Sequence, residues 1–502
     1  MKNAVLKNTV SLITSTAKSP FAISISALVF FLGNVLSRFP GINNPDSRHQ
    51  YDQALSGHYT DWHPPVMAWL WSILHRLGDG SGPLYVFHLF FYWFGFGLIA
   101  LTFNQIGRRY AAWIILAIGL FPSFMMMDVA ILKDVGLATT FLTVFAILFW
   151  HRAQNKKINA AIYIIVSLLL LYGIFVRANG IFAAAPLLIY MFYPKLLMRP
   201  ARLTALCMAI ILLTISFYTV LNQKIFHATP TYPIRSLQIY DIAGIAKFAQ
   251  DTSLFGPNSA ITSQQVSDCY IPQQWDTMST LGKCHIFWDT LALPADATSS
   301  RKPDGGGGED APNPNLTNLW LTAIAKHPLA YIEHRIFHFN SELYFIVPRH
   351  HADFRVLFHI VYGKPIDLSE FQTTKSRIMD YLRYNPFSTP AFAFVLSIIL
   401  LILAWPRSTK NQLPLQQDIF CLAISGFLYT SIYFVIGIAS DTRYHFWTMM
   451  AVFIGLAIYA SGPQHHFRPM SRVGWICIAI LLSTAAMILG ANIALGDPLF
   501  SK

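Results

Sequence analysis

The sequence predicts an all-α polytopic membrane protein with about eleven spanning helices. A mostly α extracytoplasmic domain is expected between the seventh and eighth. Three observations predict this. Of 502 residues, 54% are hydrophobic and 12% charged, with mean hydropathy +0.45, whereas a soluble domain is about one-quarter charged. Apolar stretches long enough for about 30 Å of hydrocarbon recur near 21–39, 83–103, 111–127, 135–150, 158–176, 180–194, 203–221, 387–405, 418–438, 447–461 and 473–493. Lys and Arg gather in alternate gaps between these stretches.

The first stretch follows Lys2, Lys7 and Lys18 and runs into Ser37-Arg38-Phe39-Pro40. No small-x-small cleavage site follows it, so it reads as an uncleaved span and not a signal peptide. The basic gaps hold those three lysines, Arg108 and Arg109, Arg152, Lys156 and Lys157, Lys195, Arg199 and Arg202, Arg407 and Lys410, and Arg468 and Arg472. They account for 15 of the 36 Lys and Arg residues, and the positive-inside trend puts them in the cytoplasm. The net charge of +12 is thereby a matter of topology, and no nucleic-acid partner is expected.

The opposite gaps contain a loop over 41–82, tight turns at 128–134, 177–180 and 440–445, and a long polar segment over 222–385. Three parts follow: an N-terminal transmembrane module (1–221), the extracytoplasmic domain (222–385) and a C-terminal transmembrane module (386–502). The long segment opens with a helix over 235–250 and carries an Asp304-Gly305-Gly306-Gly307-Gly308-Glu309 linker. Beyond the linker, aromatic and basic residues alternate at helical spacing over 319–345, the pattern of a helix lying along a membrane surface. Cys207, Cys421 and Cys477 fall inside spans and read as apolar filler. Cys269 and Cys284 share the outer segment and read as a disulfide. They make no zinc signature, since a structural site needs four ligands. No cofactor is specified by the sequence; a divalent metal is neither indicated nor excluded.

The first outer loop is the most informative stretch. It reads Pro45-Asp46-Ser47-Arg48-His49-Gln50-Tyr51-Asp52, then Asp61-Trp62-His63-Pro64-Pro65. Pro64 and Pro65 suit a helix start, which sets His63 at its edge beside Asp61. The bland alternative for Asp46 is a helix cap. In the second outer turn, Lys133 breaks the positive-inside trend beside Asp134. A charge at a span centre costs roughly 2.5–3.5 kcal/mol, so such residues invite a functional reading. Arg177 and Arg443 break the trend likewise, and a guanidinium matches phosphate with a bidentate fork. Arg335, Arg349, His350 and His351 are weaker candidates for acceptor contacts. No Gly-rich phosphate loop, His-Glu-x-x-His or nucleophilic-serine motif is present.

With Asp46-x-Arg48, His63-Pro64-Pro65 and Asp441-x-Arg443-Tyr444, the chain resembles the GT-C superfamily of membrane glycosyltransferases. The nearest likeness is to protein O-mannosyltransferases and the lipid A aminoarabinose transferase. Ser47 stands where many relatives carry a second acid, and His63 where they use Lys. The resemblance implies transfer of a sugar from a polyprenyl-phosphate donor to an envelope acceptor (lipopolysaccharide, another surface polymer or protein). Asp46 is then the base, with Asp134 as second carboxylate. Arg48, His63, Lys133, Arg177 and Arg443 become donor-phosphate contacts, and Asp61 and Tyr444 acceptor or donor contacts. The implied location is the outer face of a bacterial inner membrane, among membrane lipids, with a cytoplasmic N-terminus. Two rivals share the topology. A flippase for lipid-linked glycans predicts ionisable residues deep within spans and internal repeats. An O-antigen polymerase or ligase leans on arginines of the long segment.

Overall fold

The computed structural model describes residues 20–256, 259–280, 282–293, 313–347, 385–405, 415–462 and 472–494. The Gly-rich linker, Arg349, His350 and His351, and the expected N-terminal lysines lie outside the described residues. What is described is helical, with three isolated β-bridges and no β-strand among the described residues.

In chain order, α1 (Pro20–Arg38) is followed by two first-loop helices, α2 (Pro45–Ser56) and α3 (Pro65–Leu74). Then come α4 (Gly82–Gln105), α5 (Arg109–Gly119), α6 (Pro122–Met127), α7 (Lys133–Ala153), α8 (Ala160–Phe175), α9 (Gly180–Phe192) and α10 (Pro200–Val220). The outer segment supplies α11 (Ile234–Ala249), α12 (Ser263–Cys269), α13 (Ile286–Leu291), α14 (Leu316–Lys326) and α15 (Pro328–Glu342). The chain closes with α16 (Pro390–Leu403), α17 (Gln416–Ser431), α18 (Tyr433–Ile436), α19 (Phe446–Ala460) and α20 (Arg472–Ala494).

Among the described residues, six helices are long and apolar enough to cross a membrane: α1, α4, α7, α10 with its π-helical extension, α17 continued by α18, and α20. Their burial differs sharply. Of the apolar window of α7, 89% is buried against other helices; for α1 the share is 11% and for α10 17%. Exposed large apolar residues crowd the outer helices, among them Leu28 and Val29 on α1, Leu212 and Leu213 on α10, and Leu482 on α20. An apolar surface of that extent needs lipid or a partner against it. The stretch over 111–127 forms two short helices, because Pro122 starts a new one and its ring cannot continue the old.

The outer segment has its own apolar core, in which Tyr240, Ile245, Met278, Phe287, Trp288 and Ala323 are buried. Cys269 and Cys284 are joined by a disulfide within it. The surface helix read over 319–345 is two helices, broken at His327-Pro328. The face of α15 that carries His334, Arg335, His338 and Glu342 is turned inward.

Candidate active site

Asp46 owes its position to the start of α2. Asn44 is the N-cap: its Oδ1 accepts the Ser47 N–H at 2.8 Å, and Ser47 Oγ faces back to the Asn44 N–H, closing a capping box. Ser47 is thus a capping residue, and Asp46 is free of that duty. The loop is also sewn to the residues preceding α7. The Ile42 N–H donates to Val129 O, and the Ile131 N–H to Ile42 O, each at 2.9 Å. Ser47 Oγ donates to Ile131 O. That seam brings Asp46 to the first residue of α7, Lys133.

His63 lies between them. Lys133 Nζ sits 2.8 Å from His63 Nδ1, and His63 Nε2 lies 3.8 Å from Asp46 Oδ1. Burial, then the Lys133 charge, pushes the His63 pKa well below its usual value. The imidazole is therefore neutral, with Nδ1 accepting from the ammonium and Nε2–H turned toward Asp46. A neutral His63 offers phosphate no cation where the resemblance puts a lysine.

Two arginines complete the cluster. In the turn over 441–445, Asp441 Oδ1 accepts the Arg443 N–H at 3.0 Å and Oδ2 lies 2.5 Å from Arg443 Nε. The same guanidinium reaches Asp46, with Nη2 3.0 Å from Oδ2. Burial works to raise the Asp46 pKa, but Arg443, His63 and Lys133 outweigh it and hold the carboxyl well below the usual carboxylate range. Arg177, between α8 and α9, forms an ion pair with Asp134 and donates from Nε to Asn179 Oδ1 at 3.0 Å. Its Cζ lies 4.4 Å from the centre of the Tyr444 ring, cation–π distance. Gly180 lets the start of α9 pack tightly on the end of α8, since a Cβ there would lie 2.6 Å from Gly173 O.

Asp46, His63, Lys133, Asp134, Arg177, Arg443 and Tyr444 thus converge from four separate stretches of chain. Three carboxylates, counting Asp441, face three cations. Among the described residues Lys133 has no carboxylate within ion-pair distance; its near partner is the neutral His63. Other candidates lie apart. Arg48 is exposed on α2. Asp61 latches the first loop to the outer segment, its Oδ1 accepting from Thr231 N–H at 2.6 Å and Oγ1 at 2.7 Å. Arg335 is fully buried and ion-paired to Asp241. No group of three His, Cys, Asp or Glu side chains suited to a metal ion occurs among the described residues.

Sequence reasoning missed Asp441 as a partner of Arg443 and overlooked Asp276, whose carboxyl feels the charges of Asp46, Arg443 and Asp441. Asp441 could have been found as the Asx cap of its turn; Asp276 carries no local signal beyond lying between the paired cysteines. Comparison with family models, with curated proteins and with solved structures finds no match.

Proposed function

We propose that the chain is a GT-C-type glycosyltransferase of eleven spans. It moves a sugar from a polyprenyl-phosphate donor to an envelope acceptor on the outer face of a bacterial inner membrane. The carrying observation is the cluster at the start of α7, where Lys133, with no carboxylate within ion-pair distance among the described residues, sits beside two arginines held by ion pairs. Fixed cations of this kind stabilise a leaving phosphate without reorganising during the reaction. Asp46 acts in it by orienting Arg443 and His63; the cations that hold its carboxyl low make it a weak base.

Of the long-segment arginines on which the polymerase or ligase reading leans, Arg335 is fully buried against Asp241 and is held by that pair. The deciding experiment incubates the purified protein with radiolabelled decaprenyl-phosphate monosaccharides and envelope lipopolysaccharide or peptides. Transfer is expected from the wild type and is expected to fall at least tenfold in Arg443→Ala. Movement of a lipid-linked glycan across liposomes, with no transfer from any donor, would replace the enzyme reading with the flippase.

A further inference from the structure

The loop closed by Cys269 and Cys284 forms one wall of the cluster. The Trp275 N–H donates to Ile438 O at 2.9 Å, and the Ser440 N–H donates to Gln273 O at 2.7 Å. These bonds tie the loop to the strip of chain that leads into Asp441 and Arg443. The Trp275 ring lies 6.2 Å from that of Trp62, the neighbour of His63, and 5.8 Å from that of Trp288. Behind it, Thr277 Oγ1 donates to Cys269 O and the Cys284 N–H to Thr277 O, each at 2.8 Å.

Asp276 sits on this braced loop, at the start of the 3₁₀ turn Asp276–Met278. It is exposed, and among the described residues its carboxylate takes part in no hydrogen bond or ion pair. The other carboxylates of the cluster are engaged: Asp46 and Asp441 by Arg443, Asp134 by Arg177. Although the residue as a whole is exposed, desolvation of its carboxyl and then the negative charge of Asp46 raise its pKa, with Asp441 adding to the shift and Arg443 opposing it. Paired carboxylates driven apart in this way divide their roles, the raised one handling protons.

We infer that Asp276 is the proton acceptor for the acceptor hydroxyl in the transfer proposed above, on which this inference rests. The hydroxyl oxygen bonds to the anomeric carbon as its proton passes to the Asp276 carboxylate. The bond from the anomeric carbon to the phosphate oxygen breaks, and its electron pair leaves on the polyprenyl phosphate, facing Lys133, Arg177 and Arg443. Asp276 then gives its proton to water.

The test uses the full-length protein and two readouts, sugar transfer and binding of decaprenyl phosphate. Asp276→Asn should slow transfer about 10²–10⁴-fold, keep decaprenyl phosphate binding within about twofold, and remove the acid limb of the pH–rate profile. Formate should restore part of the activity of Asp276→Ala, and Asp276→Glu should keep the acid limb, neither of which a purely structural role provides. Wild-type transfer by Asp276→Asn with its acid limb intact overturns the assignment alone. So does loss of decaprenyl phosphate binding in that variant. Binding without transfer by the wild type, from any donor, overturns the glycosyl-transfer reading and the proton acceptor with it.

Discussion

Two of the ionisable clusters among the described residues are built on opposite terms. The first is the cluster around Asp46 and Arg443. The second runs along α15: His334 Nε2–H donates to Asp241 Oδ1 at 3.0 Å, Arg335 pairs with the same carboxylate, and Trp320 Nε1–H donates to Oδ2 at 2.8 Å. From there His338 Nδ1–H donates to Pro272 O at 2.7 Å, and Glu342 Oε1 accepts from His445 Nε2–H at 3.1 Å. Every ionisable member of that chain is 0% exposed, whereas the Asp46 side chain is 31% exposed. A charge set that is fully enclosed offers no face to a ligand from solvent. It binds architecture: Arg335 Nη1–H donates to Gly437 O at 2.7 Å, and Tyr344, just beyond α15, donates its Oη–H to Ser440 O at 2.9 Å. They fix the turn that carries Arg443. The Asp46 cluster reaches solvent through Asp46 and Asp441, and among the described residues its Lys133 has no carboxylate within ion-pair distance. Density of charge does not separate a site from a clamp; enclosure does.

Breaking the clamp gives the largest expected effect. Arg335→Met strands Asp241 in a dry interior and should cost about 3–5 kcal/mol, with the double variant Asp241→Leu, Arg335→Met regaining much of it. Thermal unfolding in one detergent measures both; equal losses in the single and double variants would contradict the clamp. Next in size is the disulfide. Replacing Cys269 and Cys284 by Ser opens a loop of 15-residue separation, with an expected loss of about 3 kcal/mol. Melting of the outer core should report it, through fluorescence of Trp275 and Trp288. On the site side, Lys133→Met orphans no carboxylate but strands the buried His63 Nδ1, so it should cost only about 1 kcal/mol of stability yet weaken decaprenyl phosphate binding about tenfold or more, the worth of one charge-assisted contact. Scintillation proximity binding tests this, and a large stability loss with unchanged binding would move Lys133 to the clamp.

Much of this contrast was legible in the sequence, but only one side of it. Lys133, Arg177 and Arg443 stood out because each breaks the charge rule of its side of the membrane, and that rule acts along the chain. Asp46 and His63 stood out by motif. The pairing of Arg443 with Asp46 joins positions 397 residues apart, and nothing local encodes it. Helix breaks fared by their chemistry: Pro328 and Pro122 end helices that hydropathy alone runs together. The clamp was illegible for another reason. His334, Arg335 and His338 beside Phe337 and Phe339 look like an amphipathic surface helix, because the sequence carries no record of Asp241 waiting across the interface. Asp276 was hidden likewise, since its role comes from where a disulfide loop docks.

The smallest effect separates the clusters by pH. Burial is the main cause lowering the His338 pKa to about 3 and the His445 pKa to about 3, from a usual 6.5. Each stays neutral in the fold while the unfolded chain takes up a proton, so its stabilisation is complete above about pH 6.5 and drains as pH falls from there toward the folded value. Asp46 is shifted the other way relative to neutrality: its pKa lies below 3.8, so its ion pair persists down to that pH and weakens only beneath it. Mild acid should therefore loosen the clamp while leaving the Asp46–Arg443 pair intact. One buried histidine accounts for about 0.7 kcal/mol between pH 7 and pH 6. His338→Gln should flatten the slope of unfolding free energy against pH by that amount, and Asp46→Asn should leave the slope in this window unchanged. A slope that follows Asp46 and ignores His338 would reverse the assignment of which cluster is enclosed.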